Sequence, residues 1–456
     1  MPYTALLRAL SSLPLDGYTS DQREALGTLY EYIEESSPYA LFLLDETGRV
    51  TGGSPLPARL ADALFLLTGY AGTGKTFLLR TIADLAQRAG LRVELMASTG
   101  RAAKVLSAST GRPASTIHRT IYRASTQMQE EGGSFQLGRV SGATPTLFIV
   151  DEASMISGDT GEMTPFGSGN LLDDLLSYVW SADEAKLIFV GDTAQLPPVG
   201  TPLSDALNAE VLTSRYGLHV YGMELREVVR QKRGGILHNA TQLRELLDEY
   251  ADEDPEEILP IHLETEGWRG IFPVEGGTFI ETLDEAYRKY GEEECLVICP
   301  SNKLALECNH AIRSSVLFYE EEPVVRGERL IVARNNYHYT KRPDRSDFIA
   351  NGEIIEVQRI GRHYYEYGLH FADATIYLPD RDDSLEVRLL LTSLEDPTPQ
   401  RSQAERQRLF ELIAADYADI PSVTDRRKAI RRDPFWGALE VKYGYAVTAH
   451  KAQGGQ

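Results

Sequence analysis

Apolar positions along the chain follow two periods. Runs of strand length stand at residues 63–67, 92–97, 145–150 and 186–190, each passing into a polar or glycine-rich stretch. Between them apolar residues return every three or four positions: Leu26, Leu29 and Ile33 behind Thr19 or Ser20 as a cap, then Phe77, Leu78, Leu79, Ile82, Leu85 and Ala86 up to Gly90. Strands alternating with helices in this way predict an α/β domain with a parallel sheet. Residues 121–145, with Gly132-Gly133 between two arms, predict a hairpin inserted into that domain, and 46–61, rich in Gly and Pro, reads as a loop. Further on, 219–225 reads as a strand, 236–250 as a helix, and 295–299 as a strand before another helix. From about residue 323 the texture changes. Short β-branched runs at 328–333, 353–358, 374–378 and 385–391 predict a small barrel or sheet. An amphipathic helix at 402–417 follows, with Leu409, Leu412 and Ile413 together.

The length of 456 residues suits about three domains, each able to bury a core. Cys295, Cys299 and Cys308 give no disulfide framework; two lie in an apolar run and read as buried thiols, which fits a reducing cytoplasm. No apolar stretch approaches a membrane span or an export signal. The net charge of −21 argues against a generally basic coat for nucleic acid but leaves room for a local groove. Acidic runs such as 248–254 and 320–322 read as solvated faces.

Chemistry enters at Gly69 to Thr76, GYAGTGKT, which follows an apolar strand and opens a helix. In that context the motif cradles phosphates: Gly69, Gly72, Thr73 and Gly74 let backbone N–H groups converge, Lys75 adds charge and the Thr76 hydroxyl can ligate magnesium. The run at 145–150 delivers Asp151-Glu152 at its C-terminal end, where open parallel sheets place their ligands. Asp151 would hold Mg2+ and Glu152 would orient or deprotonate the attacking water. Gln195, in the loop GDTAQLPPVG, stands where a side-chain amide can sense the γ-phosphate of ATP; its residue type alone is equally that of a surface turn.

These motifs, with STGRAAKVL, STIHR, IVDEASM, FIANGE and KYGYAVTAHKAQGG, occur in an order that resembles the superfamily 1 DNA helicases of the RecD-like and phage Dda-like branch. The resemblance covers nearly the whole chain. It implies two RecA-like P-loop domains with parallel sheets, ATP between them, single-stranded DNA across both and movement 5′ to 3′. It also implies an inserted β-barrel-like module, and a hairpin acting as a strand-separating pin at duplex junctions. The first domain would cover 1–209, the second 210–322 and 437–456, and the module 323–436. By the same resemblance Gln22 is the adenine-contacting glutamine and Arg230 the arginine that reaches the γ-phosphate; residue type alone leaves them as an exposed first-turn glutamine and a helix-face arginine. Ser98, Thr99, Arg101, Thr116 and His118 resemble first-domain contacts to DNA, and Thr448, His450 and Lys451 their second-domain counterparts; either histidine is also an ordinary structural residue. Tyr337, Tyr339, Tyr364 and Tyr365 can stack bases or form cross-strand pairs.

The family continues past residue 455 to a T-R-A motif whose arginine also contacts the γ-phosphate, whereas this sequence stops at Gln456. ATP binding is expected regardless, since the phosphate loop and Asp151 lie in the first domain. The reading is an ATP-dependent DNA helicase of repair, recombination or replication, with replication, repair or nuclease proteins as its partners. A DNA-binding ATPase switch, or a non-unwinding subunit of a helicase–nuclease assembly, stands beside it.

Overall fold

The computed structural model describes residues 2–36, 43–44, 50–52, 62–124, 135–142, 144–156, 158, 167–198, 201, 203–228, 234–250, 260–319, 322–336, 338–339, 349–379, 381–398 and 401–453. The first unit opens with helices α1 (Pro2–Ser11) and α2 (Ser20–Glu35) and a short antiparallel pair, β1 (Leu43–Leu44) and β2 (Val50–Gly52), within a segment read from sequence as partly loop. Next come β3 (Ala63–Gly69), α3 (Lys75–Arg88), β4 (Arg92–Ala97), α4 (Gly100–Thr110), β5 (Ala114–Thr116) and α5 (Ile117–Ile121). After β6 (Tyr122–Ala124) and β7 (Phe135–Leu137) the unit resumes with β8 (Thr146–Asp151), α6 (Leu171–Val179), β9 (Ala185–Gly191), α7 (Ala209–Tyr216) and β10 (His219–Leu225).

Six of these strands form one parallel sheet in the order β10-β3-β9-β8-β4-β5. All seven residues of β3 are buried, because helices cover both faces and a central parallel strand meets no water. The side chains alternate between two cores. Phe65, Leu67, Ile149, Ile188 and Val190 pack with α1, α2 and α3, while Leu64, Leu66, Phe148, Val150, Leu187 and Phe189 pack with α5, α6 and α7. The hydroxyl of Tyr32 fastens α2 to the sheet by donating to Leu187 O (3.2 Å) and accepting from Leu187 N (2.9 Å).

β6 and β7 pair antiparallel, Tyr122↔Leu137 to Ala124↔Phe135, forming the stem of the expected hairpin; residues 125–134 lie outside the described residues. Tyr122 Oη donates to Asp174 Oδ2 (2.7 Å) and so ties the stem to α6.

Beyond residue 225 come α8 (Gly235–Glu249), α9 (Phe279–Tyr290), β11 (Val297–Cys299) and α10 (Asn302–Ser315). Then β12 (Arg329–Val332), β13 (Ile354–Glu366), β14 (Leu369–Leu378) and β15 (Asp383–Leu390) lead through α11 (Gln403–Asp416) and α12 (Val423–Arg432) to β16 (Leu439–Tyr443). The last elements are β17 (Ala446–Thr448) and α13 (Ala449–Ala452). β11 and β17 form a parallel pair. Asn309 on α10 holds β17 with both ends of its amide, Nδ2 to Ala446 O (2.8 Å) and Oδ1 from the Tyr445 and Ala446 N–H groups (3.1 and 2.9 Å). The Arg313 guanidinium forks onto the buried Glu328 carboxylate at 2.9 Å on both arms, joining α10 to the start of the barrel. β12 to β16 close that barrel, with β15 and β16 as a parallel seam.

Two strands cross the boundaries expected from sequence. β10, placed at 210–322 with the second domain, pairs along its whole length with β3 and forms the edge of the first sheet. β16, placed at 437–456 with the second domain, closes the barrel, its Leu439, Val441 and Tyr443 inward by strand alternation. Pairing of this kind is set by distant partners, which local pattern does not report. Among the described residues no helix is long and apolar enough to cross a membrane.

Lys186, buried in β9, donates to the Ser36 hydroxyl (2.7 Å) and carbonyl, with no carboxylate on its ammonium among the described residues. Burial pushes its pKa down to about 7, only partly opposed by Glu184. The unfolded chain therefore holds more protons between pH 7 and about 10, so stability rises with pH across that window. Lys186→Met is expected to remove about 2 kcal/mol of the rise between pH 7 and pH 9, read by urea unfolding at both values. Equal pH slopes in the two proteins would contradict it.

Candidate active site

Strand β3 ends at Gly69, and β10 dictates that residue: a Cβ there would meet Leu225 O at 2.7 Å, while Tyr70 N donates to the same carbonyl at 3.1 Å. Gly72 and Gly74 take φ of 85° and 86°, a left-handed conformation that glycine adopts without steric cost. The loop is braced from inside. Thr73 Oγ1 donates to Tyr70 O (2.8 Å), and Lys75 Nζ to Gly69 O (2.7 Å) and Tyr70 O (3.0 Å). Gln22 reaches in from α2, its Nε2 donating to Thr73 O (2.9 Å) and its Oε1 accepting from Thr19 N (3.2 Å) within a capping box. Gln22 is 2% exposed, not the exposed first-turn residue its type suggests. Thr76 stands exposed at the start of α3.

Asp151 and Glu152 lie at the end of β8. Asp151 Oδ1 accepts from Glu152 N (2.9 Å), and burial raises its pKa against the pull of that N–H and of Lys75. Glu152 turns away from Asp151 through a left-handed backbone (φ 53°), a strain of about 1–3 kcal/mol for a residue with a Cβ. Its carboxyl is pushed up to about 7, first by burial and then by Asp151, with Lys75 opposing. Lys75 is itself shifted down by burial, against Asp192, Asp151 and Glu152.

Asp192, just beyond β9, is ion-paired to Arg244 from α8, Nη1 lying 3.3 Å from Oδ2. The guanidinium also stacks on the Tyr70 ring of the phosphate loop, 3.5 Å from its centroid. Gln195 Oε1 accepts from Ser154 Oγ (3.2 Å) and from Gln453 Nε2 (2.9 Å), the latter arriving from beyond α13.

Lys75, Asp151, Glu152 and Gln195 are thus gathered at the C-terminal ends of β3, β8 and β9. Arg230 lies outside the described residues. The structure adds Arg244, Asp192, Ser154 and Gln453. Asp192, Ser154 and Gln453 lie within the motifs GDTAQLPPVG, IVDEASM and KYGYAVTAHKAQGG, whereas Arg244 reads from sequence as one more helix-face arginine. A magnesium nucleotide fits this set. Glu152 Oε2 is a buried acceptor without a partner among the described residues, the carboxylates are raised in pKa as groups awaiting a cation are, and oxygen donors suit magnesium.

The residues expected to meet DNA divide by role. Thr99 and Thr116 cap α4 and α5, accepting from Ala102 N and Arg119 N, so their hydroxyls already serve the fold. Ser98 Oγ is buried without a partner among the described residues, and Arg101 lies in the first turn of α4. His118 packs on the Tyr122 ring at the hairpin root, and burial pushes it down to about 4, so it is neutral near pH 7. Thr448 and Lys451 line a cavity with Asn302, Asn309 and Lys442. Burial and Lys442 push Lys451 down to about 8, while His450 is exposed. Of the tyrosines, Tyr365 stacks across strands on His370 (4.2 Å), Tyr364 faces Arg388, the Tyr339 hydroxyl accepts from Arg388 N (2.7 Å), and Tyr337 lies outside the described residues.

A family profile described as an AAA domain matches residues 58–259. Over 175 residues the chain is 37% identical to the ATP-dependent RecD2 DNA helicase of Deinococcus radiodurans, which is 38% of this chain and 22% of that protein. Over 418 residues it is 25% identical to the ATP-dependent DNA helicase dda of Enterobacteria phage T4, covering 85% of this chain and 84% of that protein. These matches make the chain similar to the superfamily 1 RecD-like and Dda-like P-loop helicases. It spans about a fifth of the RecD2 relative's length. Among solved structures, the Pif1 helicase from Candida albicans aligns with 88% of this chain and 86% of its own at 15% identity and a TM-score of 0.32. The matched residues 58–259 include the phosphate loop and the Asp151-Glu152 pair.

The Arg244–Asp192 pair offers a direct check on how the site is built. Arg244→Ala leaves Asp192 withdrawn from water with no cation, and removing one partner of such a pair costs about 3–5 kcal/mol. Arg244→Lys keeps the charge but loses the fork and the stacking plane, so it should fall between. Urea unfolding with unchanged stability in Arg244→Ala would show that the pair is not structurally important.

Proposed function

We propose that this chain hydrolyses ATP with Mg2+ to move along single-stranded DNA, 5′ to 3′, and to open duplex at a junction during DNA repair, recombination or replication. The observation that carries the reading is the convergence of Lys75, Asp151, Glu152 and Gln195 at one sheet end, with Gln453 of the second unit touching Gln195. Lys75 exchanges the Gly69 and Tyr70 carbonyls for phosphate oxygens, and Thr76 and Asp151 hold the metal. The metal, when bound, neutralises charge on the phosphates. Glu152 accepts a proton from the attacking water, for which its raised pKa near neutrality suits it. Gln195 contacts the γ-phosphate, and Arg230 is retained as the arginine reaching it. Gln22 fixes the loop under the nucleotide and contributes the adenine contact. Ser98, Thr99, Arg101, Thr116 and His118, with Thr448, His450 and Lys451, follow the DNA backbone, and the hairpin rooted at Tyr122 separates the strands. The work is cytoplasmic.

Steady-state ATP hydrolysis with and without single-stranded DNA, beside duplex unwinding, tests this. Strong DNA stimulation that vanishes in Lys75→Ala is expected. Glu152→Gln should keep nucleotide affinity and lose turnover by about 10²–10⁴-fold, the range for a removed general base. Equal ATP affinity in wild type and Lys75→Ala would refute the phosphate-loop assignment. Stimulated hydrolysis without strand separation would favour a DNA-clamping ATPase switch, and co-purification with a nuclease chain a non-unwinding subunit.

A further inference from the structure

Gln453 joins two parts of the chain that sequence keeps far apart. It follows α13 directly, its N–H donating to Ala449 O at 3.0 Å, so its position is tied to the helix that carries His450 and Lys451. Its Nε2 donates to Gln195 Oε1 at 2.9 Å and to Ser154 Oγ at 3.4 Å, and Ser154 Oγ donates to the same Gln195 oxygen at 3.2 Å. In this arrangement both donors converge on the oxygen end of the Gln195 amide, an assignment that follows from the hydrogen-bond network. The Nε2 end is then the one left to face Glu152, whose raised pKa Gln195 partly opposes. Gln453 Oε1 is buried and without a partner among the described residues.

We propose that Gln453 is a positioning residue for hydrolysis: by donating to Gln195 Oε1 it fixes the Gln195 amide with Nε2 toward Glu152 and the γ-phosphate. Because Gln453 moves with α13, occupancy of that helix by a nucleic-acid strand alters the same hydrogen bond. The DNA strand and the phosphate site are thereby coupled through one side-chain contact between the two units. This rests on the proposed role of Gln195 at the γ-phosphate.

The test uses the full chain and measures kcat and KM for ATP at saturating single-stranded DNA. Gln453→Ala is expected to lower kcat about tenfold, the scale of one hydrogen bond in a transition state, with KM for ATP within about twofold. Gln453→Met and Gln453→Glu, which retain bulk but lack the donor, should lose as much. In a double-mutant cycle, Gln453→Ala in a Gln195→Ala background should cost little more. The DNA concentration for half-maximal stimulation should rise in Gln453→Ala and stay raised in Gln453→Met, which a purely structural role would not produce in variants of equal stability. Wild-type kcat in Gln453→Glu, or full additivity with Gln195→Ala, would overturn the proposal. If Lys75→Ala hydrolyses ATP as wild type does, the reading of the whole site fails instead, and the two failures are separable.

Discussion

Asp151, Glu152 and Asp192 are carboxylates drawn out of water at the ends of neighbouring strands, and among the described residues Lys75 and Arg244 are the cations set against them. Burial first, and then the neighbouring Asp151, raise the pKa of Glu152, so three potential negative charges facing two positive ones do not all stay ionised at low cost. A phosphate-bearing ligand adds more negative charge to this group. That imbalance is the electrostatic reason for a divalent cation in the proposed function. Lys75 sits on two loop carbonyls, which are weaker partners than phosphate and easily exchanged.

The geometry that gathers these charges is the sheet. Because β3, β9 and β8 are adjacent and parallel, the residues leaving their C-terminal ends emerge on one edge, as open parallel sheets require. β10 beside β3 tightens the arrangement by pressing Leu225 O against Gly69, and it leads the chain directly toward α8 and Arg244.

Much of this was legible in the sequence because the chemistry is local. GYAGTGKT needs its glycines and lysine in one short loop, and a strand ending in Asp151-Glu152 announces itself by an apolar run before two acids. What was illegible depends on distant partners. Nothing near β10 says that its neighbour is β3 rather than a strand of a second domain, and nothing near β16 says that it closes a barrel. Arg244 looks like any arginine on an amphipathic helix until the fold brings it over Tyr70. Thr99 and Thr116 resemble DNA contacts in sequence, yet Thr99 follows β4 and Thr116 ends β5, each just before a helix that it caps. Gln22 was visible as a helix-start glutamine, but its grip on Thr73 O required knowing that α2 packs against the phosphate loop.

The seam of the barrel carries a consequence for how this chain tolerates change. The backbone leaves at Leu390 and returns at Leu439 one strand away, Leu389 pairing with Leu439 and Leu390 with Glu440. Leu391 and Leu394 still belong to the barrel core, and Ser393 bonds to Val441; beyond them, α11 and α12, with a small core of Leu409, Ile413 and Ile430, form an excursion whose two ends are already held together. Its length and content are decoupled from the closure of the barrel, since a longer excursion between fixed ends adds only a slowly growing loop entropy. Such a segment can be exchanged, lengthened or adapted to a new surface while the hydrogen-bonded cylinder beneath it keeps its register, which makes this helical pair the freest ground in the fold for divergence.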